Sequence, residues 1–193
     1  MIATGGRGRP DVVLLHSAGN TAPAAGARAH RPEGFRLWRN GSGTLLTAET
    51  GAPPGSGHAD AAPGESSGDR DEAQLHTAVG DARAPYDAPG LFLVTSWVPP
   101  GDEAEFDDWF DTEHVPLLLR VPGWRAVRRY RVIRSTRGAT HLALHYLDGA
   151  EVLKSPGRTS AAQTAWTQRM AARPWFRDNV RAYYQAVTER NEM

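Results

Sequence analysis

The C-terminal half of this chain is predicted to be an α+β domain with the element order β-α-β-β-α-β. Three observations carry the prediction. Residues 91–98, LFLVTSWV, are a β-branched and aromatic run stopped by Pro99-Pro100-Gly101. Phe106, Trp109, Phe110 and Leu117 then recur at helical spacing, with Asp107, Asp108 and Asp111 off the stripe. Residues 124–133 and 140–147 are two further apolar runs joined through Arg137-Gly138, the pattern of an antiparallel pair.

The elements follow in order. Asp11–His16 is a short apolar strand, and Thr21–Pro32 is Ala-rich with Pro23 and Gly26 inside it, no more than a short helix. Gly34–Arg39 alternates as a strand, Asn40-Gly41 signals a turn, and Gly43–Ala48 pairs back as a hairpin. Residues 51–90 are dominated by Pro, Gly, Ser and Ala, too poor in apolar surface to offset their ordering entropy. They are expected to be a flexible linker, with a turn or two of helix at Asp71–Val79. The expected domains are therefore 1–50, 51–90 and 91–193.

Within the last domain Asp102 is placed as a helix N-cap with Glu105 three residues on, a carboxylate form of the capping box. Pro116 disfavours a regular helix and biases Val115 out of the α region, so the chain is expected to bend beside His114. In the strand Thr140–Leu147, the residues Leu142, Leu144 and Tyr146 share one face, and His141, Ala143 and His145 share the other. A short helix at Gly149–Lys154, a longer one at Thr159–Ala172 broken by Pro174, and a strand at Val180–Val187 complete the split βαβ arrangement.

Composition narrows the functions. The 193 residues carry zero formal net charge, which favours neither nucleic acid nor an anionic membrane as partner. The 22 basic residues include one lysine, Lys154. The absence of cysteine excludes disulfides, thiolate metal sites and a Cys nucleophile, and fits a cytoplasmic protein. No apolar run approaches the roughly 18 residues of a membrane span, and the apolar run near the N-terminus is too short for a signal peptide. Gly64-Glu-Ser-Ser-Gly68 matches the nucleophile pattern of hydrolases, but it lacks the strand before and helix after that the elbow requires. The hydrolase reading is rejected.

The string E-F-x-x-W-F-x-x-E-H-V-P at 105–116, V-P-G-W at 121–124, R-R-Y-R at 128–131 and H-L-A-L-H-Y-L at 141–147 resembles the dimeric α+β barrel superfamily. Its nearest branch is the EthD-like and antibiotic-biosynthesis-monooxygenase-like proteins. The resemblance implies a ferredoxin-like α+β fold in which two such units face each other and close a barrel. Residues 7–19 align with 137–149, and 34–39 with the strand near 181–184, as though the N-terminus were the back half of a degenerate first repeat. With that half-unit incomplete, a homodimer through the C-terminal sheet is expected to complete the barrel.

The resemblance leaves the reaction open, since the superfamily hosts several. The expectation is a small-molecule enzyme of cyclase, isomerase or lyase type, without bound cofactor or metal, acting on an aromatic or polyketide-like metabolite. A non-catalytic ligand-binding or scaffold dimer and a cofactor-free monooxygenase are the alternatives. His114 is the candidate proton carrier, because an imidazole titrates near neutrality, with Glu113 or Asp111 to orient it. The competing role for His114 is to cap a helix end on its dipole. Trp109, Tyr130, Arg129, Tyr146, Trp124 and Trp166 are the candidate substrate-binding residues, set against a plain core role for each aromatic. Arg125, Arg128, Arg129 and Arg131 crowd one strand and can hold a substrate anion or pair with the acidic helix face. His141 and His145 share a strand face but have no third metal ligand by pattern.

Overall fold

The structure, a computed structural model, describes residues 12–18, 36–42, 44–50 and 68–187. Eight strands form one closed antiparallel barrel. They are β1 (Val12–Ala18), β2 (Arg36–Arg39), β3 (Leu45–Thr50), β4 (Asp69–Gly80), β5 (Gly90–Ser96), β6 (Trp124–Ser135), β7 (His141–Leu147) and β8 (Val180–Ala186). Helices α1 (Ala84–Asp87), α2 (Glu103–Trp109), α3 (Val115–Leu118), α4 (Pro156–Ala161) and α5 (Ala165–Ala171) lie among them, with 3-10 turns at Ala150–Lys154 and Pro174–Asp178.

The barrel order is β1-β3-β2-β8-β5-β7-β6-β4. Cut at its two junctions, it gives β2-β3-β1-β4 and β6-β7-β5-β8. These are the same order, the second strand of each unit beside its third, then its first, then its fourth. The fold is thus two ferredoxin-like sheets in one chain, closed by β2 on β8 and β4 on β6.

This topology corrects three expectations. Residues 69–80 are the twelve-residue strand β4, not linker or helix. Residues 81–90 of the expected linker hold a turn, α1 and the start of β5, whereas 51–67, the Ala-rich segment at 21–32 and the motif residues 64–67 lie outside the described residues. The repeat register is also different. β1 stands in the first-strand place of its unit, whereas residues 137–149 contain a third strand, and β2 stands in the second-strand place, not the fourth. Finally, the barrel closes within the chain. The sheet edges expected to meet a second copy already meet β2 and β4 of the same chain.

The hairpin at β2–β3 follows its turn signal. Asn40 Oδ1 accepts from the backbone N–H of Ser42 at 3.1 Å and of Thr44 at 2.8 Å, fixing the register Arg39↔Leu45. At the other end of the chain, Ser155 and Thr164 each cap a separate helix, their hydroxyls accepting from Arg158 N and Thr167 N. The single helix expected at Thr159–Ala172 is therefore two.

Period-2 alternation divides the core. Leu142, Leu144 and Tyr146 on β7 face the barrel interior with Val13, Leu15, Trp38, Leu91, Leu93 and Tyr130. Ala143 and Leu147 face outward, beneath the helices, with Phe106, Trp109, Phe110, Trp124 and Val127. The His141/His145 face meets the chain's own helices. All seven residues of β7 are buried, as befits a central strand covered on both faces.

Trp38 shows what closure is worth. It is 1% exposed, and its ring lies 6.4 Å from that of Tyr146 across the barrel interior. Trp38→Ala is expected to cost about 3–5 kcal/mol. Denaturant unfolding should show one transition moved as a whole; an unmoved C-terminal transition would mean that residues 91–193 fold independently of β2.

Candidate functional site

The site grows out of a helix that changes its pitch. α2 passes at Phe110–His114 into a π-turn, then into α3, and Trp109, Phe110, His114 and Val115 at its two ends are all in the αR region. Pro116 supplies the reason. It has no N–H for the carbonyl of Thr112, and its ring would crowd that carbonyl in a regular helix. Widening the turn relieves both problems, and the Val115 N–H bonds to Phe110 O, five residues back. The predicted disturbance beside His114 is present, but Val115 remains helical at φ −62°, ψ −47°. Asp102, at the start of α2, makes no side-chain cap; it accepts instead from Trp175 Nε1 at 2.6 Å.

Residues five apart fall on different faces of an α-helix. The π-turn brings His114 onto Trp109, with ring centroids 4.5 Å apart and planes 24° from parallel. Phe110 meets His114 edge-on at 5.2 Å and stacks on His145 of β7 at 6.1 Å. Trp124 meets His145 edge-on at 5.3 Å, and Phe92 lies 5.7 Å from it. These rings surround a cavity of about 120 Å³ between the outer face of the C-terminal sheet and the helices. That is the scale at which an apolar cavity admits a single aromatic ring. Arg158 of α4, Thr167 of α5, and Phe176, Asn179 and Arg181 at the approach to β8 complete its wall.

Four buried polar atoms on this wall have no hydrogen-bond partner among the described residues: His114 Nδ1, His145 Nδ1, Trp124 Nε1 and Asn179 Oδ1. Buried polar groups are normally paired, so a cluster of unpaired ones around one cavity marks a place prepared for a ligand or for water. Burial pushes the His114 pKa down to about 4, aided by the positive charges of Arg158, Arg129 and Arg181. Burial also holds His145 well below the ordinary imidazole range, with His114, Arg129 and Arg158 adding to the effect. Both imidazoles are neutral at pH 7. His114 therefore faces the cavity in its proton-free form, not as the freely titrating group its residue type suggests.

The expected orienting groups are engaged elsewhere. Glu113 accepts from Thr164 Oγ1 at 2.6 Å. Asp111 and Asp107 bind the guanidinium of Arg129 at 2.6 and 2.5 Å, and that guanidinium lies 4.4 Å from the centroid of Phe110. Arg129, 3% exposed, is thus a clamp between β6 and the helix, as the salt-bridge reading has it.

Of the candidate residues, the cavity gathers His114, Trp109 and Trp124. Trp109 donates its Nε1–H to Thr167 Oγ1 on the same wall at 3.2 Å, so it presents its ring to the cavity. Tyr130 and Tyr146 belong to the barrel interior, on the opposite face of the sheet. Arg129 and Trp166 are outside the cavity wall, Trp166 packing at the edge of the helical core under Arg169. Arg158, Asn179 and Arg181 went unrecognised, because only the tertiary fold brings α4 and the start of β8 to the helix end. His141 is bound to Thr140 and Arg131, and among the described residues no three His, Cys, Asp or Glu side chains gather to hold a metal.

Fold and site together define an α+β barrel of two ferredoxin-like sheets, with a small aromatic cavity between one sheet and its helices. Solved structures share this fold. An anthrone oxidase-like protein is 16% identical with a TM-score of 0.59, covering 94% of this chain and 93% of that one. A ferredoxin-fold protein related to antibiotic biosynthesis monooxygenases, from Listeria monocytogenes 4b F2365, is 10% identical at 0.60, covering 94% and 96%. The heme-degrading enzyme LmHde from Listeria monocytogenes is 8% identical at 0.57, covering 90% and 98%. At these identities the likeness establishes the fold. No family profile and no curated protein matches the chain. No helix among the described residues is long and apolar enough to cross a membrane.

The depressed imidazole pKa links to stability. A histidine neutral in the fold but ordinary when unfolded contributes stability that is fully present above about pH 6.5. It is lost as pH falls toward about 4, where His114 protonates in the folded state. Imidazole NMR should find His114 neutral down to about pH 4. Unfolding measured across this window should show a shallower pH dependence in His114→Leu than in the parent protein.

Proposed function

We propose that the chain is a small-molecule enzyme that removes a proton from an acidic C–H or O–H of an aromatic, polyketide-like compound, with His114 as the base. The observation that carries this reading is a neutral, buried His114 with an unpartnered Nδ1 on the wall of a ring-sized aromatic cavity. A base needs its proton-free form at working pH, and burial supplies it. Phe92, Phe110 and Trp124 give the ring its slot, and Trp109 braces the imidazole from its other face. His145 stands near enough to lower its own pKa through His114, and so to share charge changes with it.

Cyclisation, isomerisation or elimination can follow such a proton abstraction. A second reading is a cofactor-free monooxygenase, in which the resulting carbanion itself reduces dioxygen. The anthrone oxidase-like and monooxygenase-related neighbours favour it. A ligand-binding protein without turnover is the outcome if binding occurs and proton transfer does not.

Deuterium exchange at the acidic carbon of hydroxylated aryl ketones, followed by NMR, tests the base. The exchange rate should fall by about 10²-fold or more in His114→Ala. An unchanged rate in that variant would remove His114 from the mechanism. Oxygen uptake in the same reactions separates the monooxygenase from the other outcomes.

A further inference from the structure

The cavity has an electrostatic asymmetry that the proton-transfer reading does not use. Arg158 and Arg181 stand on its wall, and none of the sixteen lining residues is acidic. Several arginines elsewhere in the fold are matched by carboxylates. Arg125 holds Asp81 and Asp87, Arg129 holds Asp107 and Asp111, Arg137 holds Asp71, and Arg173 holds Asp102 and Glu105. Arg158 and Arg181 have no carboxylate partner among the described residues. Arg181 lies over the Phe176 ring at 5.5 Å and donates from Nη1 to the Asn179 main-chain oxygen at 3.2 Å. That leaves most of its fork of donors unassigned.

Arg158 is half-buried and Arg181 exposed at the cavity's edge, and two like charges brought together beside an apolar cavity repel. Burial, and then the charge of Arg158, weaken the hold of Arg181 on its proton. A bound anion reverses both penalties. The neighbouring imidazoles are neutral and so add no competing cation, while Trp124 Nε1 offers a further unpaired donor.

We infer that the ligand of this cavity is an aromatic carboxylate, its ring seated among Phe92, Phe110 and Trp124 and its carboxylate held by Arg158 and Arg181. The inference rests on reading the cavity as the small-molecule site, but it concerns recognition and is testable without turnover. A planar guanidinium pair suits a planar carboxylate, and one ring fills the space available. In this arrangement the carboxylate also screens His114 from the two arginines, which makes the imidazole a better base when the ligand is bound.

Calorimetric titration with sodium benzoate, benzamide and sodium acetate separates charge from ring. Benzoate should bind at least about tenfold more tightly than benzamide, which keeps the ring without the charge, and than acetate, which keeps the charge without the ring. Arg158→Gln and Arg181→Gln should each weaken benzoate about tenfold or more and leave benzamide unchanged. Arg158→Lys and Arg181→Lys, which keep the charge, should retain part of the affinity. Raised salt should weaken benzoate and leave benzamide unchanged. Equal binding of benzoate and benzamide, unaltered benzoate binding in both Gln variants, or no benzoate binding at millimolar concentration would overturn the inference. Selective benzoate binding without His114-dependent exchange would keep the anion site and remove the proton-transfer reading; His114-dependent exchange without benzoate selectivity would do the reverse.

Discussion

The guanidinium of Arg129 is the constraint on which both the fold and the site rest. A charge 3% exposed must be neutralised where it sits, and the fold does so with two carboxylates one helical turn apart, Asp107 and Asp111. Those residues straddle the passage from α2 into the π-turn. Holding both from β6 fixes the rotation of the helix about its axis at the point where its pitch changes. Phe110 is caught beneath the guanidinium, and its position sets the edge-on contact with His114 and the stack on His145. The same charge helps keep both imidazoles neutral. One side chain thereby ties the helix to the sheet and tunes the groups facing the cavity.

The second constraint is the register of β7. Its alternating faces serve two different cores, so a slip of one residue would exchange His145 for Tyr146. Pairing on both sides prevents this. Phe92 lies opposite His145 on β5, and Val127 lies opposite it on β6. Packing on both faces then makes the register cooperative: Leu142, Leu144 and Tyr146 belong to the barrel interior, and Ala143 and Leu147 belong to the core under the helices with Phe106 and Phe110.

Much of the C-terminal unit was legible because its signals are local. Strand alternation, the aromatic stripe, the V-P-G turn and Pro116 each act within a few residues of themselves. Gly123 illustrates this: its φ of +84° is what the turn before β6 demands. β4 was not legible. Its inward face reads Asp71, Ala73, Leu75, and a buried Asp71 looks like linker until Arg137 is placed beside it at 2.5 Å. The closure of the barrel failed for the same reason, since β4 and β2 make the two junctions. The candidate site was half legible. A helix carrying Trp109 and His114 announces itself, whereas Arg158, Asn179 and Arg181 reach the cavity only through the packing of α4 and β8. The tyrosines misled because facing a sheet was taken for facing its helices, and Tyr130 and Tyr146 point through to the other side.

Neutral histidines beside unpaired arginines constrain what chemistry is reasonable there. If His114 took a proton from an uncharged compound in an otherwise empty cavity, an imidazolium would form next to Arg158 and Arg181, and the same burial that makes it neutral would oppose the step. The reaction becomes tolerable when negative charge develops or already resides within contact of the arginines. A carboxylate on the ligand provides it in the ground state, and an enolate or phenolate provides it as the proton leaves. The arginines then stabilise the anion, the anion stabilises the imidazolium, and the apolar walls strengthen both attractions by excluding water. On this reading the depressed pKa of His114 is a property of the unliganded site, and occupation by the anion brings it back toward the range in which a histidine exchanges protons readily.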